Sequence, residues 1–379
     1  MKLEYTQEQR MIRNMVREFA EKEVGPRAAE LDEKEEYPIK NLEKMAQLGI
    51  LGAIIPKEYG GAGLDTVTYA MIIEELSRKC ASTGVVTSVH NSLTAWPIMH
   101  YGNEEQKKKY LPILARGDKI GAFGGTEPNA GSDLGAMQTT AELKGDKYII
   151  NGTKIFITSG PRAGIIIVFA VTDKEAGSRG ISAFIVESDF PGYSVGSIFE
   201  KMGINGSLTS ELIFEDMEVP KENLLGNEGE GFKIALATLD GGRIGIAAQA
   251  VGIAQAALDE SVEYSKTRQQ FGRPLAKFQA IQWMLAEMAT KVEAARWLVR
   301  NAAYQKDLGN RISKEAAMAK LFAADTAVWC SDRAIQVHGG YGFTREYLVE
   351  RLYRDARITG LYEGTSEVQK MVIAGSLLK

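Results

Sequence analysis

Apolar residues recur at helical spacing through the first third of the chain. The stripes are formed by Met11, Met15 and Phe19, and then by Leu42, Met45 and Leu48. A repeat of three to four residues indicates amphipathic helices that each turn one face to a core. The glycine-rich stretch 60–63 and the pair Trp96-Pro97 are typical of turns between such helices. The pattern therefore predicts an N-terminal helical domain over residues 1–117.

From residue 118 the apolar positions gather into short runs that favour strands over helices. The runs are 147–150, 154–158, 165–171, 181–186 and 212–214. Asn151-Gly152, between the first two runs, is typical of a type I′ hairpin turn because both residues tolerate a positive φ. We therefore expect a small β domain over residues 118–225, with a hairpin turn at Asn151-Gly152.

Helical spacing returns after residue 226 and continues towards the end of the chain. The longest stripe contains Phe278, Ile281, Leu285, Met288, Val292, Ala295, Val299 and Ala302. Two further stripes run through 244–258 and 317–328. Apolar steps that alternate between three and four residues are typical of antiparallel helices in a bundle. The predicted fold is mainly α, with a central β-barrel-like domain and a C-terminal four-helix bundle over residues 226–379.

Charge and hydropathy narrow the classes of function. The 379 residues carry 45 Lys and Arg against 49 Asp and Glu, so the formal net charge is −4 and there is no basic excess to bind nucleic acid. The longest strongly apolar run, 165–171, is far too short to cross a bilayer. We therefore expect neither a nucleic acid partner nor association with a membrane.

Cysteines and histidines are few. Cys80 and Cys330 lie in apolar helical patterns, which favours small core residues in a reducing compartment over a disulfide or a zinc site. His90, His100 and His338 are distant in sequence, so no metal site is expected. The first residues resemble neither a signal peptide nor a transit segment. We expect a cytoplasmic, bacterial-type protein, or a mitochondrial matrix protein only if a transit peptide has been removed.

One acidic residue near the end of the chain is a candidate catalytic base. Glu363 lies between Tyr362 and Gly364, a bulky ring and a flexible backbone point. A carboxylate held in a dry cleft has a raised pKa, which suits a general base that works near neutral pH. The alternative is a solvated loop acid, the commoner situation for a glutamate.

Three further segments combine glycine with polar or basic residues, at 123–133, 267–274 and 336–343. The first offers backbone amides and hydroxyls to a heterocycle or a phosphate, the second offers two arginines to a pyrophosphate, and the third has glycines that admit a ligand close to the backbone. The alternatives are an ordinary turn, solvated loop arginines and a helix C-cap. The chain contains neither a G-x-G-x-x-G nor a P-loop motif, which argues against a Rossmann or P-loop nucleotide site.

Two longer patterns carry a resemblance to a known family. Thr126-Glu127, Ala130-Gly131-Ser132-Asp133 and Ala136 form the first pattern, and Gln336, Gly339-Gly340, Gly342-Phe343, Glu346, Arg351 and Asp355 form the second. With Tyr362-Glu363-Gly364-Thr365 and the order of the three domains, they resemble the acyl-CoA dehydrogenase family over essentially the whole chain. Only Gly125 departs from the first pattern, where an aliphatic residue is usual.

The resemblance implies an FAD enzyme that oxidises an acyl-CoA thioester to its trans-2-enoyl-CoA. Glu363 would remove the α-proton, and the β-hydrogen would leave as hydride to the flavin N5. By the same analogy, the thioester carbonyl would sit against the backbone N–H of Glu363 and a ribityl hydroxyl. The electrons would pass to an electron-transfer flavoprotein, and the chain would form a homo-oligomer, typically a tetramer.

The resemblance also assigns binding residues position by position. The implied cofactor contacts are Phe123, Gly124, Gly125, Thr126, Ser132, Phe156, Ile157, Thr158, Arg268, Gln279, Gln336, Val337, His338, Gly339, Gly340, Thr365, Ser366 and Glu367. The implied substrate contacts are Ser132, Asp240, Arg243, Tyr362 and Gly364. The adenylate half of FAD would be held partly across a subunit boundary.

Alternatives stay open for the acyl chain of the substrate and for the electron acceptor. The stretches 238–249 and 353–358 resemble the short-chain, butyryl-CoA branch, while branched short acyl groups stay open. No Arg or Lys occurs between Cys80 and His100 to receive a second carboxylate, which disfavours a glutaryl substrate. An acyl-CoA oxidase would use the same base and flavin, but the chain lacks the long C-terminal extension of many oxidases. A non-enzymatic acyl-CoA-binding protein would have no reason to retain Glu363 with every flavin segment.

Overall fold

The computed structural model describes residues 4–378, and its first part is helical. The helices are α1 (Gln7–Phe19), α2 (Gly25–Glu33), α3 (Ile39–Gln47), α4 (Thr66–Lys79), α5 (Ala81–Ser88), α6 (Trp96–Tyr101) and α7 (Glu104–Arg116). Thr6 and Gln9 form a reciprocal capping box at the start of α1, and Asn103 with Gln106 does the same for α7. These helices confirm the predicted helical character of this part.

The turn predicted at Trp96-Pro97 is wrong. A π-helical segment, Val89–Ala95, joins α5 to α6 without a break, and Trp96 is the first residue of α6. Proline is tolerated in the first turn of a helix because an N–H there has no partner within the helix. The pair therefore lies within continuous helical structure.

The middle part of the chain is a mainly antiparallel sheet. Its strands are β1 (Ile120–Gly124), β2 (Thr140–Lys144), β3 (Lys147–Thr158), β4 (Ala163–Val171), β5 (Ile181–Glu187), β6 (Tyr193–Ile198), β7 (Thr209–Pro220) and β8 (Leu224–Leu225). They are ordered β6-β7-β3-β2-β4-β5-β8, and β1 pairs in parallel with β4. Strand β4 is buried along almost its whole length, as its continuous apolar run requires.

The hairpin predicted at Asn151-Gly152 is also wrong. Strand β3 runs straight through these residues, and its register with β7 shifts between Ile150 and Gly152. The hairpin turn is Gly145-Asp146, which joins β2 to β3 where Lys144 pairs with Lys147. Asn-Gly is compatible with a bulge as well as with a tight turn, because both structures accept unusual backbone angles.

The last part contains the longest helices. They are α8 (Gly231–Thr267), α9 (Gln279–Asp307), α10 (Ser313–His338), α11 (Leu348–Ile358) and α12 (Ser366–Leu377), with the two-residue strands β9 (Gln269–Gln270) and β10 (Arg273–Pro274) between α8 and α9. Helices α8, α9 and α10 pack on one another, and the longest predicted stripe is buried between them from Met288 to Ala302, while its first part, from Phe278 to Leu285, is only partly buried. The two predicted domain boundaries fall in the connections α7–β1 and β8–α8, and the division into domains stays a prediction.

One continuous core joins the first and last helical parts. Helices α4 and α5 and the π-helical segment Val89–Ala95 pack against α8, so that Tyr69, Val85 and Leu93 belong to the same buried cluster as Ile244 and Met288. The two cysteines are free and buried, as predicted. Within residues 4–378 no helix is both long and apolar enough to span a membrane. Helix α8 therefore contacts both the N-terminal helices and, through Gly242, the C-terminal segment that carries Glu363.

Candidate active site

The segment that carries Glu363 connects α11 to α12 and has an unusual backbone. Glu363 has φ +51° and Gly364 has φ +91°, so two consecutive residues lie in the left-handed region. A glutamate rarely adopts this conformation, and it persists only where surrounding contacts hold it. Thr365 ends the segment as the N-cap of α12, where its hydroxyl accepts a hydrogen bond from the N–H of Val368.

Two buried side chains hold the carbonyls of this segment. Lys320 Nζ donates to the Gly364 carbonyl at 2.7 Å, and Gln369 Nε2 donates to the same oxygen at 2.8 Å. Gln369 also donates to the Glu363 carbonyl at 3.2 Å. The N–H of Glu363 makes no hydrogen bond with any described residue. The segment is thus fixed through its acceptors, while one donor stays available beside the carboxylate.

The Glu363 carboxylate is buried without a partner. Both oxygens are almost inaccessible to water, and neither makes a hydrogen bond within residues 4–378. Burial raises the pKa of Glu363 to about 8, although the positive charges of Lys320 and Arg243 act in the opposite direction. In its ionised form, a carboxylate that is desolvated and unpaired is a stronger base than a solvated one. The solvated loop acid considered from the sequence does not describe this environment.

A glycine of α8 makes room for this carboxylate. A Cβ built at Gly242 would lie 2.6 Å from Leu93 Cδ2 and closer still to Glu363 Oε2. Glycine in the interior of a helix costs about 1 kcal/mol relative to alanine, so its presence at such a contact has a steric reason. Gly242 is not among the residues predicted from the sequence, although a Gly-Gly pair inside a helical stripe is a signal that could have identified it.

Arg243 and Tyr362, two of the predicted substrate contacts, lie beside Glu363. Arg243 is 4% exposed, and its ion pair with Asp240 has a distance of 2.5 Å from Nη1 to Oδ1. Its Nε makes no hydrogen bond with any residue of 4–378, which leaves one donor of the guanidinium unused. The Tyr362 hydroxyl donates to Gln249 Oε1 on α8. The exposed Ser132, on the loop after β1, shares no hydrogen bond with this group of described residues.

A buried ion pair fixes the loop after β1. Lys154 Nζ lies 2.7 Å from Glu127 Oε1, and the two side chains are 0% and 5% exposed. Glu127 also accepts hydrogen bonds from the N–H groups of Gln138 and Thr139. Burial alone would raise the pKa of Glu127, but Lys154 and these donors hold it below its usual value. The loop with the predicted cofactor contacts Gly125 and Thr126 is therefore anchored to β3 on its polar side.

The residues 156–158 combine one exposed ring with buried neighbours. Phe156 has φ +56° and is 59% exposed, with its ring centroid 4.8 Å from that of Phe199. Ile157 is 1% exposed in the core of the sheet, so only its backbone is able to meet a ligand. Thr158 is half-buried beside them. An exposed ring on a kinked strand provides a flat apolar surface for a planar heterocycle.

A second group of predicted cofactor residues, 336–340, lies at the end of α10, whereas Phe123 and Gly124 belong to β1 and Ser366 and Glu367 to the start of α12. Val337 and His338 are buried, and the His338 ring stacks on Tyr264 with centroids 4.0 Å apart. Burial lowers the pKa of His338, and its Nδ1 lies 2.8 Å from the Ala334 carbonyl, which supports a neutral structural ring over a metal ligand. Arg268 lies over the Tyr341 ring at 5.4 Å. No group of metal-ligating residues occurs within residues 4–378.

The backbone at this end of α10 is exposed and leaves space for a bulky ligand. Gly339 and Gly340 are exposed, and a Cβ at either position would meet nothing within 4 Å. Gln336, near the end of α10, and Gln279, the first residue of α9, are also exposed. Uncovered backbone, amide side chains and Arg268 match the donors that a pyrophosphate and an adenylate require. The residues at both regions therefore fit a dinucleotide with a planar ring at one end.

Family models match nearly the whole chain in three consecutive parts. Residues 6–118 match the N-terminal domain, 122–217 the middle domain and 229–378 the C-terminal domain of acyl-CoA dehydrogenase. The short-chain specific acyl-CoA dehydrogenase of Clostridium acetobutylicum is 55% identical over 379 residues, all of both chains. The acryloyl-CoA reductase (NADH) of Anaerotignum propionicum is 50% identical over 381 residues, 100% of this chain and 96% of the relative.

Solved structures agree with this relationship. The butyryl-CoA dehydrogenase of Megasphaera elsdenii is 49% identical with a TM-score of 0.98, and a chain from work on the electron transferring flavoprotein of Acidaminococcus fermentans is 54% identical with a TM-score of 0.99. Both similarities cover 100% of each chain. An acyl-CoA dehydrogenase of Bacillus anthracis complexed with FAD is 38% identical with a TM-score of 0.94, over 100% of this chain and 69% of that one. FAD is the cofactor indicated, and this chain belongs to the acyl-CoA dehydrogenase family.

Proposed function

We propose that this protein oxidises a short-chain acyl-CoA thioester to the trans-2-enoyl-CoA, with Glu363 as the base. The observation that carries the proposal is the buried carboxylate of Glu363, whose two oxygens have no hydrogen-bond partner among the described residues. FAD, when bound, supplies the acceptor for the β-hydrogen, which leaves with its electron pair. Glu363 takes the α-proton, and the new C=C bond forms from the electrons of that C–H bond.

Residues around the base prepare it for this step. Burial makes the Glu363 carboxylate a stronger base than a solvated glutamate, while Lys320 and Arg243 keep part of its population ionised. The unused N–H of Glu363 would donate to the thioester carbonyl as negative charge develops on it. A donor of this kind contributes about 3 kcal/mol to the stability of a transition state.

Anaerobic addition of butyryl-CoA tests the proposal most simply. We expect the absorbance of the bound, oxidised flavin to disappear as one enoyl-CoA forms for each FAD. Acetyl-CoA is the matched control because it has the thioester but no β-carbon. An oxidised flavin that persists with butyryl-CoA and with every longer or branched acyl-CoA would exclude the proposal.

The preference for a short acyl chain draws support from the relatives. The Clostridium relative is named short-chain specific, and the Megasphaera structure is that of a butyryl-CoA dehydrogenase. A series of straight acyl-CoA thioesters together with isobutyryl-CoA and isovaleryl-CoA would define the preference. The highest kcat/KM is expected for butyryl-CoA.

The electron partner and direction are a separate proposal. Similarity to a chain from work on an electron transferring flavoprotein favours that class of protein as the acceptor. The relative named acryloyl-CoA reductase (NADH) suggests the opposite direction as the second candidate. Electron transfer should be measured both ways with an electron-transfer flavoprotein, from butyryl-CoA and towards crotonyl-CoA. Faster transfer towards crotonyl-CoA would favour a reductive role.

Three exposed aromatic residues favour assembly of several chains. Phe271 is 93% exposed, Trp283 61% and Phe343 87%, and each follows a predicted contact of the adenylate half of FAD by three or four residues in sequence. Exposed apolar side chains beside a ligand region are typical of a surface that another chain covers. We expect light scattering of the FAD-bound protein to give four times the 41.5 kDa chain mass. A single-chain mass with full FAD content would contradict this assembly.

Catalysis should depend on pH through the buried base. Because Glu363 must be ionised to accept a proton and its pKa is raised to about 8, kcat/KM should rise with pH and reach half of its plateau near pH 8. At pH 6 the ionised fraction is about a hundredth of its maximum. The measurement is the initial rate of flavin reduction at low butyryl-CoA concentration from pH 6 to 10. A rate that stays constant from pH 6 to 10 would contradict the raised pKa, because an ordinary solvated glutamate is fully ionised over this whole range.

The substitution Gly242→Ala should impair the base without unfolding the protein. Its new methyl group would meet Glu363 Oε2 and Leu93, so the carboxylate must move, and a displacement of about 1 Å is able to cost up to a hundredfold in rate. We expect flavin reduction by butyryl-CoA to slow at least about tenfold. Gly241→Ala is the matched control, since its methyl group would meet only the flexible end of Lys306. Equal rates of flavin reduction for the two variants would contradict a close contact between residue 242 and the Glu363 carboxylate.

A further inference from the structure

Lys320 is a buried cation next to the catalytic segment. It lies in the middle of α10 and its side chain is 0% exposed. Its Nζ donates one hydrogen bond, at 2.7 Å, to the carbonyl of Gly364. No carboxylate of the described residues lies within 4.0 Å of it. An ammonium group is seldom buried without a paired acid, because desolvation penalises its charge.

The charges around Lys320 leave Glu363 as its counter-charge. On α8, Arg243 faces the same space but is already paired with Asp240. Asp325 on α10 and Glu367 on α12 also act on Lys320, and both are exposed, so water screens their effect. Tyr69 and Tyr362, which lie near Glu363, have raised pKa values because they are buried and therefore remain neutral. Among these groups only Glu363 combines a negative charge with burial.

We propose that Lys320 is a positioning residue that acts through Glu363, since its charge keeps the buried carboxylate ionised while its hydrogen bond holds the segment in place. The inference rests on the proposed function of Glu363 as base. It adds a role to a residue outside both family patterns found in the sequence. When Glu363 accepts the α-proton, Lys320 loses its counter-charge, so the pair also favours return of that proton to solvent after turnover.

The pKa shifts of Lys320 and Glu363 agree with this arrangement. Burial lowers the pKa of Lys320, and the charge of Glu363 acts against that effect. Burial raises the pKa of Glu363, and Lys320 is the largest opposing influence. Removal of the ammonium group should therefore raise the pKa of Glu363 further and reduce its ionised fraction at neutral pH.

Neighbouring residues allow charge to be separated from hydrogen bonding. Gln369 donates to the same Gly364 oxygen as Lys320 but carries no charge. Lys320→Met removes both the charge and the donor, Lys320→Gln removes the charge and retains a donor group, and Gln369→Leu removes only a neutral donor. If the charge of Lys320 keeps Glu363 ionised, the two Lys320 variants should change the pH midpoint of flavin reduction alike, and Gln369→Leu should leave that midpoint unchanged.

The test is the pH dependence of flavin reduction by butyryl-CoA in the FAD-bound variants. For Lys320→Met and Lys320→Gln we expect the midpoint to move up by at least one pH unit, with a rate at pH 7 about tenfold below that of the unmodified enzyme. For Gln369→Leu we expect a lower rate at every pH and an unmoved midpoint. Unmoved midpoints in both Lys320 variants would overturn the inference.

A second measurement does not depend on turnover. Infrared difference spectra of protein labelled with 13C-glutamate report the titration of the Glu363 carboxyl, which is assigned by its loss in Glu363→Gln. The same upward shift is expected in both Lys320 variants, and an unchanged titration would overturn the inference. Failure of the unmodified enzyme to react with acyl-CoA would instead refute the proposed function, and the infrared titration would still decide the effect of Lys320.

Discussion

Glu363→Gln should slow anaerobic reduction of the flavin by butyryl-CoA at least about a hundredfold, which is the lower end of what loss of a general base costs. Glutamine has nearly the same shape as glutamate, so it fills the space beside Gly242 but cannot accept the α-proton. The rate is measured by stopped-flow absorbance with saturating butyryl-CoA. Binding of the thioester should persist, because the variant retains the backbone N–H of residue 363.

The matched control for this variant is Glu105→Gln. Glu105 lies on α7 with its side chain 88% exposed and forms only a surface ion pair with Lys108. The same chemical change there should leave the rate of flavin reduction within about twofold, because surface pairs contribute little. Reduction of Glu363→Gln at the rate of this control would remove Glu363 from the mechanism.

Lys154→Met should destabilise the protein by about 3–5 kcal/mol and weaken retention of FAD. The substitution leaves the Glu127 carboxylate buried without its ammonium partner, and an uncompensated buried charge has a large cost. Because Glu127 anchors the loop with Gly125 and Thr126, the predicted flavin contacts should become disordered together with it. Urea unfolding measures the first effect, and the flavin content after gel filtration measures the second.

A surface ion pair on the same strand provides the control. Lys147 and Glu218 connect β3 to β7 with Nζ 2.6 Å from Oε2, and their side chains are 40% and 44% exposed. Lys147→Met should therefore cost less than about 1 kcal/mol and should not affect FAD content. Equal losses of stability in the two lysine variants would contradict the assignment of Lys154 and Glu127 as the anchor of the loop.

The sequence predicted the order of helices and strands because both depend on local periodicity. The apolar stripe from Met288 to Ala302 is buried in the bundle, and β4 follows its apolar run almost residue by residue. Turn residues were less informative. Asn151-Gly152 occupies a bulge and Pro97 lies within a helix, because the partners that decide each geometry come from other segments of the chain.

The candidate base was recognisable from its motif, but its environment was not. Desolvation of Glu363 depends on α8 and α10, which are distant in sequence, and no periodic pattern shows which of their residues meet the carboxylate. Lys320 adjoins the apolar stripe on α10 and Gly242 is the second of two consecutive glycines in α8, and neither was predicted to have a role. Both acquire a role only when the helices are packed, since burial and contact are properties of tertiary structure.

Exchange of the C2 hydrogen of butyryl-CoA in D2O tests the central claim most directly, because it detects removal of the α-proton at the substrate itself. The FAD-bound enzyme and its Glu363→Gln variant are incubated anaerobically with butyryl-CoA, and deuterium at C2 is measured by mass spectrometry. The account predicts incorporation by the unmodified enzyme and a rate at least about a hundredfold lower in the variant. Incorporation at equal rates in the two proteins would contradict it.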